Sequence, residues 1–280
     1  MSEGERMRIV VVGGGKMGEA IVGGWVSSDN GAAREIGAQD VLVVDPGEDR
    51  RAFLSERYGV DCLADVSGVC AADMVVLAVK PQVMMGVLEG MRSMPVFSEA
   101  NPLFVSIAAG LPTERLEGAL PAGARLVRVM PNMPLAIGAG ASAVTPGAHA
   151  DQSDVSLVAD LFGCLGKAVI VEESLMDACC AVNGSGPAYV AAMIESLRDA
   201  GVAEGLSADV AEALALQTVL GTARLISETG QTPGAVRESI CSPGGTTLAA
   251  LSAMKEAGFD EVFSAGVRAA VRRSKELAQC

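Results

Sequence analysis

Two short stretches, far apart in the chain, carry residue types that could do chemistry. Ser242-Pro243-Gly244-Gly245-Thr246-Thr247 combines hydroxyls with two adjacent glycines. Pro243 bars a helix from running through it, and the glycines admit backbone angles that other residues avoid. Thr246 and Thr247 are expected to cap a helix over Leu248 to Met254, whose first turn has free N–H groups. Hydroxyls, glycines and a helix N-terminus make a cradle for a carboxylate. An ordinary loop with a threonine cap has the same letters. The second stretch, Gly13-Gly14-Gly15-Lys16-Met17-Gly18, has the spacing of a dinucleotide-binding turn. In such a turn Gly13 permits the tight bend and Gly15 lets a pyrophosphate approach the backbone, while Gly18 lets helix and strand pack closely.

Both stretches need elements to hold them. Arg8-Ile9-Val10-Val11-Val12 is the apolar run of a strand buried on both faces. A helical pattern through Ala20, Ile21, Gly24 and Trp25 follows the glycines. Val41 to Asp45 reads as the second strand. Asp45 closes it where a carboxylate would hold the adenine ribose hydroxyls of a bound NAD. The spacing from Gly18 exceeds the usual value of roughly twenty residues, which implies a longer connection around Asn30-Gly31. Asp45 would repel a 2′-phosphate. Arg50 and Arg51 either offset that or simply start a solvated helix. Further strands are expected at Asp73–Val79, stopped by Lys80-Pro81, and at Phe104–Ile107, ending in the turn Ala108-Ala109-Gly110. Others are expected at Leu126–Met130, Ala141–Val144 and Ala168–Val171, with a helix over Asp154–Leu165. The alternation describes a doubly wound sheet over residues 7–171.

Beyond Val171 the strand pattern ends. A helix begins at Leu175 and is interrupted at Asn183-Gly184-Ser185-Gly186-Pro187. Another follows with Val190, Met193, Ile194 and Leu197 on one face. Ser207 is placed to cap a third helix, running to about Glu228, whose apolar residues do not fit one stripe. A domain of roughly a hundred residues cannot bury such a helix by itself, so a partner subunit is expected. Thr232-Pro233-Gly234 starts a short helix with proline in its first turn, and a last helix spans Asp260 to Leu277.

Composition narrows the function. The net charge of −13 argues against nucleic acid and anionic membrane surfaces. The longest uncharged stretch, Val129 to Ala150, contains prolines, glycines and an asparagine, and is not a membrane helix. His149 is the single histidine, and the seven cysteines form no CxxC, so no zinc site is expected. The polar start Met1–Arg6 gives no signal sequence. Odd, dispersed cysteines read as reduced cytoplasmic thiols. The vicinal Cys179-Cys180 is either a redox pair or small buried packing.

Five blocks taken together resemble one family. They are Gly13–Gly18, Ala78-Val79-Lys80-Pro81-Gln82, Arg128-Val129-Met130-Pro131-Asn132-Met133-Pro134, Gly184-Ser185-Gly186-Pro187-Ala188-Tyr189 and Ser242–Thr247. The chain resembles the Δ1-pyrroline-5-carboxylate reductases, which catalyse the last step of proline biosynthesis. The resemblance covers essentially the whole length. It implies an α/β protein: a Rossmann-like doubly wound sheet over residues 1–171, then an all-helical substrate-binding and dimerisation domain over 172–280. The reaction implied is hydride transfer from NADPH or NADH to the imine carbon of a small imino acid, giving L-proline.

The resemblance also implies site residues. Val12, Gly13, Gly14, Gly15, Lys16 and Met17 would cradle the pyrophosphate, with Asp45 by the adenosine ribose. Ala78, Val79, Lys80 and Pro81, with Ala108, Ala109 and Gly110, would line the nicotinamide path. Ser242, Gly244, Gly245, Thr246 and Thr247 would bind the substrate carboxylate and ring nitrogen. Thr247 would orient the nitrogen, since an imine arrives already protonated near neutrality. Glu173 falls where relatives place a pocket carboxylate, although a solvated helix start accounts for it equally. A homodimer with interleaved helices, assembled into a higher oligomer, is implied. Two departures stand out. Asn183 replaces a small residue, and Asp65 stands about where an asparagine is common near the adenosine. Asp45 and Asp65 together put the usual NADPH preference in question. Two rivals remain. A β-hydroxyacid dehydrogenase-like reductase would need a lysine on the helix from Leu175 to Leu197, which has none. A non-catalytic nucleotide-binding regulator would not need the Ser242–Thr247 stretch.

Overall fold

The computed structural model describes residues 6–26 and 36–278. The expected connection at Asn30-Gly31 lies outside the described residues. The described residues divide into two compact units. One runs to Ser185 and takes in the C-terminal stretch from Ala270; the other is Gly186–Ala269.

The first unit begins β1 (Ile9–Val12), α1 (Lys16–Val26), β2 (Val41–Val44), α2 (Glu48–Tyr58), β3 (Asp61–Leu63), β4 (Met74–Leu77) and α3 (Pro81–Arg92). It continues through α4 (Pro95–Ser98), β5 (Leu103–Ser106), α5 (Thr113–Ala119), β6 (Arg125–Met130), β7 (Gly140–Pro146), α6 (Gln152–Gly163) and β8 (Gly166–Ile170). The eight strands form one sheet in the order β3-β2-β1-β4-β5-β6-β7-β8. β1 lies between β2 and β4 in parallel register, Val12 opposite Val44 on one side and Leu77 on the other. β3 was not expected, because Asp61-Cys62-Leu63 is too short and too polar to stand out as an apolar run. β7 runs antiparallel to β6. Only a short 3₁₀ turn, Met133–Ile137, joins them, and a parallel return needs a crossover of a dozen residues or more.

Both faces of the sheet are covered, as continuous apolar strands require. Ile9, Val11, Val43, Val76, Val105 and Val127 pack with Ile21, Trp25 and Phe162 on one face. Val10, Val12, Val75, Leu77 and Phe104 pack with Leu88, Phe97 and Leu116 on the other. The odd–even split of the strand residues follows from the two-residue period of a strand. α6 starts earlier than expected because Asp151 caps it, accepting from Ser153 N at 2.8 Å and Asp154 N at 2.9 Å.

After β8 the chain enters a short 3₁₀ turn, Glu173–Leu175, then α7 (Met176–Cys179) and a π-turn over Cys180–Gly184. The second unit is helical: α8 (Gly186–Ala203), α9 (Ala208–Thr229), α10 (Pro233–Ile240), α11 (Thr246–Glu256) and the first half of α12 (Phe259–Ala278). α8 packs on α9, with Gly201 close against Ala211. The side chains of α9 point apolar groups in several directions, and Leu214 (56% exposed) and Leu220 (49%) stay uncovered in the single chain. Thr232 caps α10, accepting from Ala235 N at 3.2 Å. Ser207 stands at the N-cap of α9 without a side-chain bond to the helix.

Candidate active site

The glycine turn sits where the sheet order reverses. Gly13 N donates to Val44 O at 2.8 Å, and Ala78 N donates to Val12 O at 2.8 Å, so the end of β1 is gripped from both sides. Gly13 has φ +106, and a Cβ there would lie 2.8 Å from the Ala78 carbonyl carbon. A Cβ at Gly18 would collide with the Gly13 carbonyl oxygen. At both positions the surrounding backbone leaves room for glycine alone. A Cβ at Gly15, by contrast, would meet nothing. That open backbone face at the start of α1 suits a pyrophosphate, so the residues present fit a dinucleotide.

Asp45 follows β2 directly. Its Oδ2 accepts from Gly14 N at 2.8 Å and its Oδ1 from Gly47 N at 2.9 Å. The carboxylate therefore ties the glycine turn to the loop after β2, and still has lone pairs for ribose hydroxyls. Arg50 is not a free solvated charge. It donates to Gly14 O and pairs with Glu19, with its guanidinium 5.1 Å from the Phe53 ring centre. Arg51 folds back on Asp45 O at 2.8 Å and Pro46 O at 2.9 Å. Asp65 caps its own short turn, and hydrogen bonds from the Ser67 hydroxyl and N–H hold its carboxyl below the ordinary value.

The neighbouring strand ends supply the other expected lining. Ala78 and Val79 are half-buried after β4, and Lys80 is extended before Pro81, the first residue of α3. After β5, Ala108 is buried, Ala109 half-exposed, and Gly110 turns with φ +74.

Glu173 is not a simple solvated helix start. Its Oε1 accepts from Arg128 Nη1 at 2.6 Å and from Thr113 N at 3.3 Å. Arg128 is 3% exposed. Its Nε and Glu173 Oε2 are buried without a partner among the described residues. The sequence places Arg128 in a family block but assigns it no role; the available signal was one charge inside the apolar run Leu126–Met130. Asn183 was noted only as a departure, yet it is a clamp. Its Nδ2 donates to Met130 O at 2.7 Å and to Ala141 O at 2.8 Å. Asn132 answers by donating to Asn183 O at 3.1 Å and accepting from Ala141 N at 2.8 Å. Burial pushes the Cys179 and Cys180 thiols above their ordinary value, which keeps them protonated near neutrality.

The Ser242–Thr247 stretch belongs to the helical unit. Gly245 N donates to Ser242 O at 3.0 Å, closing a turn with Pro243 and then Gly244 at φ +70, the type II pattern. Gly245 is the N-cap of α11, which starts at Thr246 and not at Leu248. Thr246 and Thr247 are thus helical residues, and neither hydroxyl caps the helix, a correction to the expected capping role. The glycine N-cap offers no side chain, so the first-turn N–H groups stay available. Thr247 is half-buried, while Ser242, Gly244 and Thr246 are exposed. No cluster of histidine, cysteine and carboxylate suited to a metal occurs among the described residues. No described helix is long and apolar enough to cross a membrane.

Residues 173–277 match the family model for pyrroline-5-carboxylate reductase dimerisation, and residues 8–110 match that for NADP oxidoreductase, coenzyme F420-dependent. A pyrroline-5-carboxylate reductase from a Synechocystis strain is 39% identical over 97% of this chain and 98% of its own. The chain belongs to the pyrroline-5-carboxylate reductases. A reductase structure from Coxiella burnetii superposes with TM-score 0.89 at 34% identity, covering 98% of this chain and 99% of that one. One from Plasmodium falciparum, solved with NADP bound, gives TM-score 0.84 at 29% identity, covering 98% and 99%. The reductase is therefore an NAD(P)H-dependent oxidoreductase that converts Δ1-pyrroline-5-carboxylate to L-proline, the last step of proline biosynthesis. Its fold is the expected Rossmann-like sheet followed by a helical dimerisation region, and it forms a homo-oligomer. The two rival activities are not favoured.

Proposed function

We propose that reduction is carried out by two cradles, one in each half of the chain, with residues 1–171 holding the dinucleotide and 172–280 the substrate and the dimer contact. In the first, Val12 to Met17 take the pyrophosphate and Asp45 the adenosine ribose. Ala78–Pro81 and Ala108–Gly110 flank the nicotinamide. The bound reduced nicotinamide supplies the hydride. In the second, the N–H groups at the start of α11 take the substrate carboxylate, helped by Ser242 and the Gly244–Thr246 backbone. Thr247 accepts a hydrogen bond from the protonated ring nitrogen and fixes its orientation. The iminium carbon then gains the hydride and its C=N π pair goes to nitrogen, so no further acid is required. Glu173 contributes a carboxylate to the substrate side. The observation that carries this reading is the uncapped N-terminus of α11, placed behind a Pro-Gly turn that leaves its N–H groups open.

The test is oxidation of NADPH and NADH with pyrroline-5-carboxylate, repeated on Thr247→Ala and Gly15→Val. Turnover should fall in the first with cofactor affinity kept. Cofactor affinity should fall in the second. Normal kcat/KM in Thr247→Ala would remove that residue from the catalytic role. We further propose a homodimer through α9, assembled further into a higher oligomer, and a cytoplasmic location. The odd number and dispersed spacing of the cysteines support the latter.

A further inference from the structure

The C-terminal stretch Ala270–Ala278 is not a trailing end of α12; it packs within the first unit, against the turn that follows β5. Gly110 has φ +74, and a Cβ added there would lie 3.1 Å from Leu277 Cβ, so turn and helix touch backbone to side chain. Ser274 is 5% exposed, and its hydroxyl donates to Asp177 Oδ1 at 2.5 Å, joining α12 to α7. Arg115, on α5 just past the same turn, donates through Nη1 to Ala278 O at 2.9 Å. A cation on the last carbonyl of a helix satisfies an orphan acceptor and the negative end of the helix dipole. The first residue of α5 is fastened too, since Thr113 N donates to Glu173, itself paired with the buried Arg128. Ala108 N also donates to the nearby Ser106 hydroxyl at 3.4 Å, but the contacts that hold Gly110 and α5 come from residues distant in sequence.

We propose that Ser274, Leu277 and Arg115 are positioning residues for hydride transfer, which hold the turn Ala108–Gly110 at a fixed height beside the nicotinamide. The proposal rests on the reading that this turn lines the nicotinamide path. A hydride donor displaced by an ångström from its attack geometry can lose about two orders of magnitude in rate, even when binding is little changed. The C-terminal stretch acts on the position of the turn and touches no reacting atom.

The test is steady-state kinetics of Ser274→Ala and Ser274→Thr, with the primary isotope effect measured using reduced cofactor deuterated at the transferred position. Ser274→Ala should lower kcat about tenfold and raise the isotope effect as hydride transfer becomes rate-limiting. KM for pyrroline-5-carboxylate should stay within about twofold. Ser274→Thr, which keeps the hydroxyl, should restore both. A merely structural serine would lower the melting temperature while leaving kcat per folded molecule and the isotope effect unchanged, and that result overturns the proposal. If Ser274→Ala does not fold, Arg115→Gln reads the same two quantities. Ala109→Leu separates the underlying reading: unchanged NADPH binding and turnover there means that the turn does not line the path. Altered behaviour in Ala109→Leu with normal Ser274→Ala sinks the positioning role alone.

Discussion

In the proposed mechanism the chemistry turns on Thr247 and Asp45. Because Thr247 is the second residue of α11 and not its cap, Thr247→Ala should cost little stability. It should still lower kcat/KM roughly ten- to hundredfold, the loss of one orienting hydrogen bond. Melting temperature and kinetics on the same variant separate the two effects. Asp45 stands at the end of β2 with both oxygens bonded to loop N–H groups. We expect NADH to be used at least as well as NADPH, and Asp45→Ser to shift the ratio of kcat/KM values towards NADPH. It should also weaken both cofactors, since Gly14 and Gly47 lose their anchor. A large NADPH preference in the unaltered enzyme would mean that Arg51 outweighs Asp45.

At the scale of elements, the end of β6 and the start of α6 carry distinct loads. Arg128 is buried and paired with Glu173. Removing one partner of such a pair costs about 3 kcal/mol, because the other charge is left stranded. Glu173→Ala should therefore lower the urea midpoint, and Arg128→Met with Glu173→Leu together should recover much of the loss. A double variant as unstable as the single would show the pair to be more than mutual compensation. At α6 the Ser153 hydroxyl, then backbone N–H groups, hold the Asp151 carboxyl below its ordinary value. A group depressed on folding stabilises the fold above its unfolded pKa, about 3.9. That contribution is lost as pH falls through the lower folded value. Asp151→Asn, which caps without titrating, should flatten the acid limb of the stability curve.

For the whole molecule, the proposed dimer surface is α9, whose apolar Leu214 and Leu220 are left uncovered in the single chain. Leu214→Glu together with Leu220→Glu should convert the assembly to monomers in sedimentation without unfolding the sheet unit, as read by Trp25 fluorescence. A stable, active monomer of the unaltered chain would remove the dimer through α9. Most of the sheet unit and the positions of both glycine-bearing turns were legible in the sequence, but the short polar β3 and the start of α11 at Thr246 were not. Strands buried on two faces and turns needing glycine are local demands, met by runs such as Ile9–Val12 and by Gly13 and Gly18. The sequence also determined the family, through five blocks in order. The antiparallel direction of β7, the Arg128–Glu173 pair, the Asn183 clamp and the return of Ser274–Ala278 to the turn after β5 emerge only once the chain is folded. The last three join residues far apart in the chain, and no periodicity or short motif records which distant partner a buried charge, an amide or a helix end will find; the direction of β7 follows from its short connection to β6.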